Sequence, residues 1–183
     1  MNELSTLAGE IGVSERTLRR ATNQGTLRAN RTGPRKLELS VSERVYVRRS
    51  WGLVSTLRSA LRTESNVRFA LLFGSAARGD DASSADVDVL VDLRDSSLER
   101  VVDVQQKLAR ATGREVDVVR LADAEADPSF LANTVADGRV LVDRDVLWPA
   151  LRRREPRLRR LAETREGARV RGALGAIDRL LAG

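Results

Sequence analysis

The run Val67-Arg68-Phe69-Ala70-Leu71-Leu72-Phe73 is the most constraining feature of this 183-residue chain. It is apolar almost throughout, the pattern of a buried strand, and it ends at Gly74-Ser75. Ten residues later a second such run begins, Asp86-Val87-Asp88-Val89-Leu90-Val91. Alternate residues of a strand share a face, so Asp86 and Asp88 project from one side. Two carboxylates held side by side repel each other unless a cation neutralises them. A divalent ion that prefers oxygen ligands meets that need, and Mg²⁺ is such an ion. Gly74 lets the neighbouring backbone come close, and the amides of Gly74-Ser75 with the Ser75 hydroxyl can cradle phosphate oxygens.

The side chains missing from the chain narrow its chemistry further. It contains no Cys and no His, which excludes disulfides, thiolate nucleophiles, imidazole bases, zinc fingers and Ser-His-Asp triads. Catalysis in such a chain runs on carboxylates, hydroxyls, arginines, backbone amides and hard metal ions. Its 32 Lys+Arg and 26 Asp+Glu are unevenly spread. Residues 1–70 carry 13 basic and 6 acidic side chains, residues 71–145 carry 9 and 16, and residues 146–183 carry 10 and 4. The pattern implies basic ends that meet nucleic acid or an acidic protein, around an acidic middle that holds cations. No apolar run reaches the ~20 residues of a membrane span, and the first residues lack a charged-then-apolar signal. A cytoplasmic protein with no membrane partner is therefore expected.

Leu4, Leu7, Ala8 and Ile11 recur at helical spacing, Gly12 interrupts them, and Ser14 is placed to N-cap a second helical pattern. Two short helices around a glycine-containing turn can lay the second one in a DNA major groove. The phrase Leu-Ala-Gly-Glu-Ile-Gly-Val-Ser-Glu-Arg-Thr-Leu-Arg-Arg, from Leu7 to Arg20, resembles the helix-turn-helix of bacterial transcription regulators. That resemblance puts Leu7, Ala8, Val13 and Leu18 in the core and Ser14, Arg16, Thr17, Arg19 and Arg20 at the DNA. Short strand-like runs at Gly25–Ala29 and Lys36–Leu39 flank the Gly33-Pro34 turn and predict a β-hairpin wing. Its basic tip, with Arg31 and Arg35, suits phosphate contacts. Ser40 then opens a long helix with Glu43 at the capping-box position and Val45, Val47, Trp51, Val54, Leu57 and Leu61 on its apolar face.

Beyond the second strand, Ser97–Thr112 reads as a helix ending at Gly113, with Val101, Val104, Leu108 and Ala111 on one face. Glu115–Val119 alternates as a strand, and Gly138–Val142 is a last strand. Gly-Ser, ten residues and then Asp-x-Asp is the pattern of the polymerase-β-like nucleotidyltransferases. Leu-Phe-Gly-Ser-Ala-Ala-Arg-Gly-Asp, from Leu72 to Asp80, resembles the minimal nucleotidyltransferases of prokaryotes, and the likeness covers about residues 67–143. It departs from the family in one place, since Ala85 and not Ser directly precedes the first Asp.

The resemblance implies that Asp117 is the third carboxylate beside Asp86 and Asp88, that all three hold two Mg²⁺ ions, and that Arg78 lies near the nucleotide held by Gly74 and Ser75. It implies transfer of a nucleoside monophosphate, AMP from ATP, to a hydroxyl acceptor with release of pyrophosphate. Proteins of this kind serve as antitoxins that adenylylate a partner toxin, here with a DNA-binding domain acting on its own operator. Two other readings stand beside it: a transcription regulator with a nucleotide-sensing domain, and a toxin that nucleotidylates tRNA. Helix-turn-helix proteins commonly bind DNA as dimers, which makes a homodimer an expectation.

The C-terminal segment is arginine-rich from Leu151 to Arg160, Pro156 is placed to start a second helix, and Leu158, Leu161, Val170, Leu174, Ile177 and Leu181 form an amphipathic stripe. The expected fold class is α+β. A winged helix-turn-helix occupies 1–48, with a linking helix at about 41–63. A nucleotidyltransferase domain spans 64–145, a mixed sheet with helices on one side, and basic helices fill 146–183.

Overall fold

The computed structural model describes residues 3–33, 36–80 and 85–181, with side chains as far as Ala168. Arg35 at the expected wing tip, Ser84, and the stripe residues from Val170 onward lie outside that description.

The chain opens with helix α1 (Glu3–Glu10), helix α2 (Glu15–Asn23) and two short antiparallel strands, β1 (Asn30–Arg31) and β2 (Leu37–Glu38). Ser14 caps α2, its hydroxyl accepting the Thr17 amide at 3.1 Å. Leu4, Leu7, Ala8, Leu18, Ala21 and Leu27 close a small core with Val47 of the long helix α3 (Val41–Arg62). Further along α3, Val54, Leu57 and Leu61 pack into a different core, so one helix is shared by the N-terminal module and the sheet. Val45, expected on the apolar face, is 46% exposed, and Tyr46 takes the buried position instead. Ser40 accepts the Glu43 amide at 3.1 Å as a cap should, but the Glu43 carboxylate pairs with a buried arginine rather than completing a capping box.

The sheet is four-stranded in the order β5-β4-β3-β6, with β3 (Val67–Phe73), β4 (Val87–Leu93), β5 (Val116–Arg120) and β6 (Arg139–Asp143). The central strand β3 runs antiparallel to β4 and β6, while β5 runs parallel to β4. A parallel neighbour requires a crossover, which helix α5 (Leu98–Thr112) supplies. The pleat sends Ala70, Leu72, Val87, Val89 and Val91 against α3 and α5. Phe69, Leu71, Phe73 and Leu90 point the other way, against α6 (Leu121–Ala124), α7 (Pro128–Asp137) and α8 (Trp148–Leu181).

Helices on one side were expected, and the structure has them on both. The reason was legible in Val67–Phe73, because a strand apolar at nearly every position needs cover on two faces. A start signal for α7 was legible too: Asp127 accepts the amides of Ser129 and Phe130, and Pro128 stands in the first turn.

Pro156 lies inside α8 and does not begin a new helix. An interior proline costs about 3 kcal/mol, but Leu151 and Leu158, two turns apart on either side of it, are both buried against the sheet. At about 1.5–3 kcal/mol each, their burial offsets the missing hydrogen bond. Leu161, by contrast, is 43% exposed and does not join that face.

The N-terminal module is fastened to the sheet by backbone and side chain. Val140 donates its amide to the Gly25 carbonyl at 3.1 Å, and the Thr26 hydroxyl donates to the Val140 carbonyl at 2.6 Å. No described helix is long and apolar enough to cross a membrane.

Candidate functional site

The site begins with strand register. Phe73, the last residue of β3, pairs with Asp88 across the antiparallel ladder, and Asp88 pairs with Asp117 across the parallel one. The sequence-predicted carboxylates on two strands are thus neighbours at one end of the sheet. Asp88 and Asp117 alternate with the valines that pack against α3 and α5, so they stand on the other face. Asp86 is exposed just ahead of β4.

The Asp88 carboxyl is pushed above the ordinary aspartate range, first by burial and then by the negative charges of Asp117 and Asp86, with the Arg78 guanidinium pulling the other way. Three carboxylates therefore act on one another here. Among the described residues no three acidic side chains are gathered into a closed metal cluster.

Gly74 and Ser75 open α4 (Gly74–Arg78), a single turn whose first amides have no intrahelical acceptor. Gly74 sits at φ +69°, and a Cβ placed on it would meet Asp88 Oδ2 at 2.2 Å. Glycine is required twice, for the left-handed backbone and for the approach to the carboxylate. Gly74→Ala is expected to lower nucleotidyl transfer by about 10²-fold or more, because roughly 1 Å of displacement at a reacting centre is worth that much. Steady-state kcat/KM on protein with an unchanged circular dichroism spectrum checks this. Retained activity would mean that the Asp88 side chain has room to retreat.

Arg78 is exposed at the C-terminal end of the same turn, with Nε 3.1 Å from Asp80 Oδ2 and Nη1 3.7 Å from Asp137 Oδ2. It is close enough to act on Asp88.

Sequence reasoning missed two arginines. Arg114 donates from Nε at 2.9 Å, and also from Nη2, to the carbonyl of Ala85, the residue before Asp86. It precedes β5 and so ties the approach to Asp117 to the approach to Asp86 and Asp88. Arg139 is 1% exposed at the start of β6 and donates from Nε to the Ala77 carbonyl of α4 at 2.6 Å. Its other nitrogens form a two-pronged pair with Glu43, 2.6 and 3.0 Å long, and its guanidinium lies 3.3 Å from the Tyr46 ring centre. Glu43 in turn accepts the Arg28 amide at 2.9 Å. Charge and proline-glycine patterns gave no warning of Arg139, since a surface arginine in a strand reads the same way.

Of the residues expected at DNA, Ser14, Arg16, Thr17, Arg20 and Arg31 are exposed on α2 and the hairpin. Arg19 is half-buried and pairs with Glu15 at 2.6 Å. Ser14 and Thr17 bond to each other at 2.9 Å, and Arg31 donates to Asn23 Oδ1 at 2.8 Å.

Two cavities lie away from the carboxylates. One of about 1000 Å³ separates α7 from α8 between Asn133 and Glu163. Another, of about 600 Å³, opens where the N-terminal module meets the sheet. Neither of these two is lined by Gly74, Ser75 or the three aspartates.

Comparison with known proteins gives a family for the chain. The family described as polymerase beta, nucleotidyltransferase matches residues 55–146, half of the chain. A Methanocaldococcus jannaschii protein named "Putative protein adenylyltransferase MJ0604" is 32% identical over 92 residues, which cover 48% of this chain and 89% of that protein. Among solved structures, a toxin-antitoxin with AMP-PNP superposes with a TM-score of 0.55 at 20% identity, over 66% of this chain and 98% of the other. The tri-AMPylated HEPN toxin of Shewanella oneidensis in complex with MNT antitoxin gives 0.52 at 19% identity, over 68% and 98%. Identities this low establish a common fold and no more. The family match covers half of the chain, and on that ground the chain belongs to the polymerase beta nucleotidyltransferase family and is a nucleotidyltransferase.

Proposed function

We propose that the protein is a metal-dependent transferase that moves AMP from ATP to a hydroxyl group of a partner toxin, acting as its antitoxin. The observation that carries the reading is the Asp88–Asp117 register pair beside the Gly74 turn, with Asp86 adding charge to the same site. Support for the acceptor comes from relatives: one is named for protein adenylylation, and solved neighbours are toxin-antitoxin complexes, one with AMP-PNP.

The residues fit a divalent cation of the Mg²⁺ type. Every side chain offered is a hard oxygen donor, and the Asp88 carboxyl, raised by burial and then by the charges of Asp117 and Asp86, is one that a cation would help to keep ionised. Asp86, Asp88 and Asp117 would hold it. When bound, two such ions supply charge neutralisation for an in-line displacement at phosphorus and lower the pKa of the attacking hydroxyl.

The chain's own groups do the rest. Gly74 and Ser75 present amides and a hydroxyl to the β- and γ-phosphates, and Arg78 adds a positive charge at the mouth. Asp117 accepts the proton of the acceptor hydroxyl. The acceptor oxygen bonds to the α-phosphorus, the bridging bond to the β-phosphate breaks, and pyrophosphate leaves with that electron pair.

The test is transfer of label from α-labelled ATP to a co-purified partner protein in the presence of Mg²⁺. Labelling is expected with the natural sequence and not with Asp86→Ala combined with Asp88→Ala. Labelling that survives the double substitution would show the site to be wrong. Label appearing in RNA and not in protein would overturn the acceptor.

The N-terminal module is proposed to bind the protein's own operator as a winged helix-turn-helix. Arg16, Thr17 and Arg20 are exposed on α2, where they can meet base edges or phosphates, and Arg31 is exposed on the hairpin, where it can meet phosphate.

A further inference from the structure

The seam between the N-terminal module and the sheet gathers positive charge that nearby carboxylates offset only in part. Arg28, Arg31 and Arg152 all line the cavity of about 600 Å³ there, and no acidic residue is among its described lining. Several arginines elsewhere meet carboxylates, as Arg44 does with Glu3, Arg48 with Glu10, Arg68 with Asp145 and Arg154 with Glu125, and others, such as Arg58 and Arg144, bond to neutral oxygens. In the seam they meet neutral groups.

Arg28 Nη2 donates to the Asp137 carbonyl at 2.5 Å, Arg31 to the Asn23 amide oxygen, and Arg152 Nη1 to the Val135 carbonyl at 3.4 Å. None of the three forms an ion pair among the described residues. The Arg28 guanidinium is held below its ordinary pKa by burial and by the nearby Arg139 cation, only partly relieved by Glu43 and Asp137. Trp148 completes the wall, its indole against Gly25, where a Cβ would meet Nε1 at 2.4 Å, with the Arg152 guanidinium 5.6 Å from its ring centre.

We infer that this seam is a second nucleotide site: it binds a nucleoside polyphosphate through Arg28, Arg31 and Arg152, with the base against Trp148. Three guanidiniums that form no ion pair among the described residues, with Glu43 and Asp137 only partly offsetting Arg28, suit a multiply charged anion, and guanidinium forks match phosphate oxygens in geometry as well as charge. The volume is that of small-ligand sites and larger than inorganic phosphate needs. The half-buried indole adds an aromatic wall beside the Arg152 guanidinium.

The seam lies between α2 with the hairpin on one side and α7, β6 and α8 on the other, so an occupant touches both modules. Asp137 links it to the transferase site, with its carbonyl on Arg28 and its carboxylate 3.7 Å from Arg78. The inference rests on the charges of the seam and stands apart from the proposed toxin acceptor.

The test follows Trp148 fluorescence in full-length protein carrying Trp51→Phe, with Asp86→Ala and Asp88→Ala added to remove nucleotide held by the carboxylate site. Saturable quenching by ATP is expected. It should weaken at least tenfold in Arg152→Ala and in Arg31→Ala, two exposed positions whose loss leaves the fold standing, as an unchanged melting temperature would confirm. Pyrophosphate should bind more weakly than ATP, because it lacks the base. ATP quenching that is absent from the aspartate variant, or untouched by both arginine substitutions, overturns the site. Quenching by a DNA duplex and not by ATP overturns it in favour of a nucleic-acid surface.

Discussion

Asp88→Asn is expected to remove nucleotidyl transfer, by at least about 10³-fold, and at the same time to raise the melting temperature at neutral pH. Both effects come from one cause. The Asp88 carboxyl is held above its ordinary range by burial and by Asp117 and Asp86, so the folded protein binds its proton more tightly than the unfolded chain does. A group shifted in that direction contributes stability below the unfolded pKa, about 3.9 for aspartate. That contribution is lost as pH rises through the higher folded value. At neutral pH the ionised Asp88 is therefore a destabilising element kept for its charge.

An amide of the same shape carries no charge to repel its neighbours, and each kcal/mol so recovered raises the melting temperature by about 2–4 °C in a chain of this size. The gap between the natural sequence and the variant should close as the pH is lowered into the acid range. Added Mg²⁺ should raise the melting temperature of the natural sequence and leave Asp88→Asn nearly unmoved, because binding to the folded state alone stabilises it. Thermal unfolding across pH, with and without Mg²⁺, reads all three. A variant less stable than the natural protein at neutral pH would contradict the electrostatic account of the site.

Arg139→Leu should be the most destabilising single change in the molecule. It leaves the Glu43 carboxylate, 4% exposed, without its counter-ion. Breaking a buried pair from one side costs about 3–5 kcal/mol. At about 2–4 °C per kcal/mol the melting temperature should fall by about 6–20 °C. Adding Glu43→Leu should recover much of the loss, since an apolar pair of similar volume tolerates that environment better than one stranded charge.

The double-mutant cycle is also a test of connection. Glu43 belongs to α3 and accepts from Arg28 of the N-terminal module, while Arg139 holds the Ala77 carbonyl of the turn that begins at Gly74. If the four proteins show no coupling energy, the pair does not join these elements.

The two substitutions separate the parts of the molecule that were legible from those that were not. Gly74, Ser75, Asp86 and Asp88 announce themselves by residue type and spacing alone, because a Gly-Ser turn after a buried strand and alternating carboxylates in the next allow few other uses. Helices α1, α2 and α5 follow from periodicity and caps in the same way, whereas the first strand of the hairpin forms at Asn30–Arg31 and not over the expected Gly25–Ala29. What misled was one-sidedness: α6 has only four residues, too few for a period to show, and α7 offered its Asp-Pro start as the main clue. The proline in α8 misled for a related reason, since its cost is local and visible whereas the burial of Leu151 and Leu158 that outweighs it is not.

By itself the amino-acid sequence determined which atoms are available for chemistry: no imidazole, no thiol, and carboxylates alternating with valines so that they must share a face. Those are local properties, set by residue type and by the period of two in a strand. Tertiary structure alone decided that Asp117 stands beside Asp88, because that depends on β5 joining β4 in parallel and in one particular register. It alone decided that Arg139 is buried against Glu43, 96 residues away, and that Arg28, Arg31 and Arg152 meet around one cavity. Pairings of that kind are made by strands and helices arriving from distant parts of the chain, and no local period carries them.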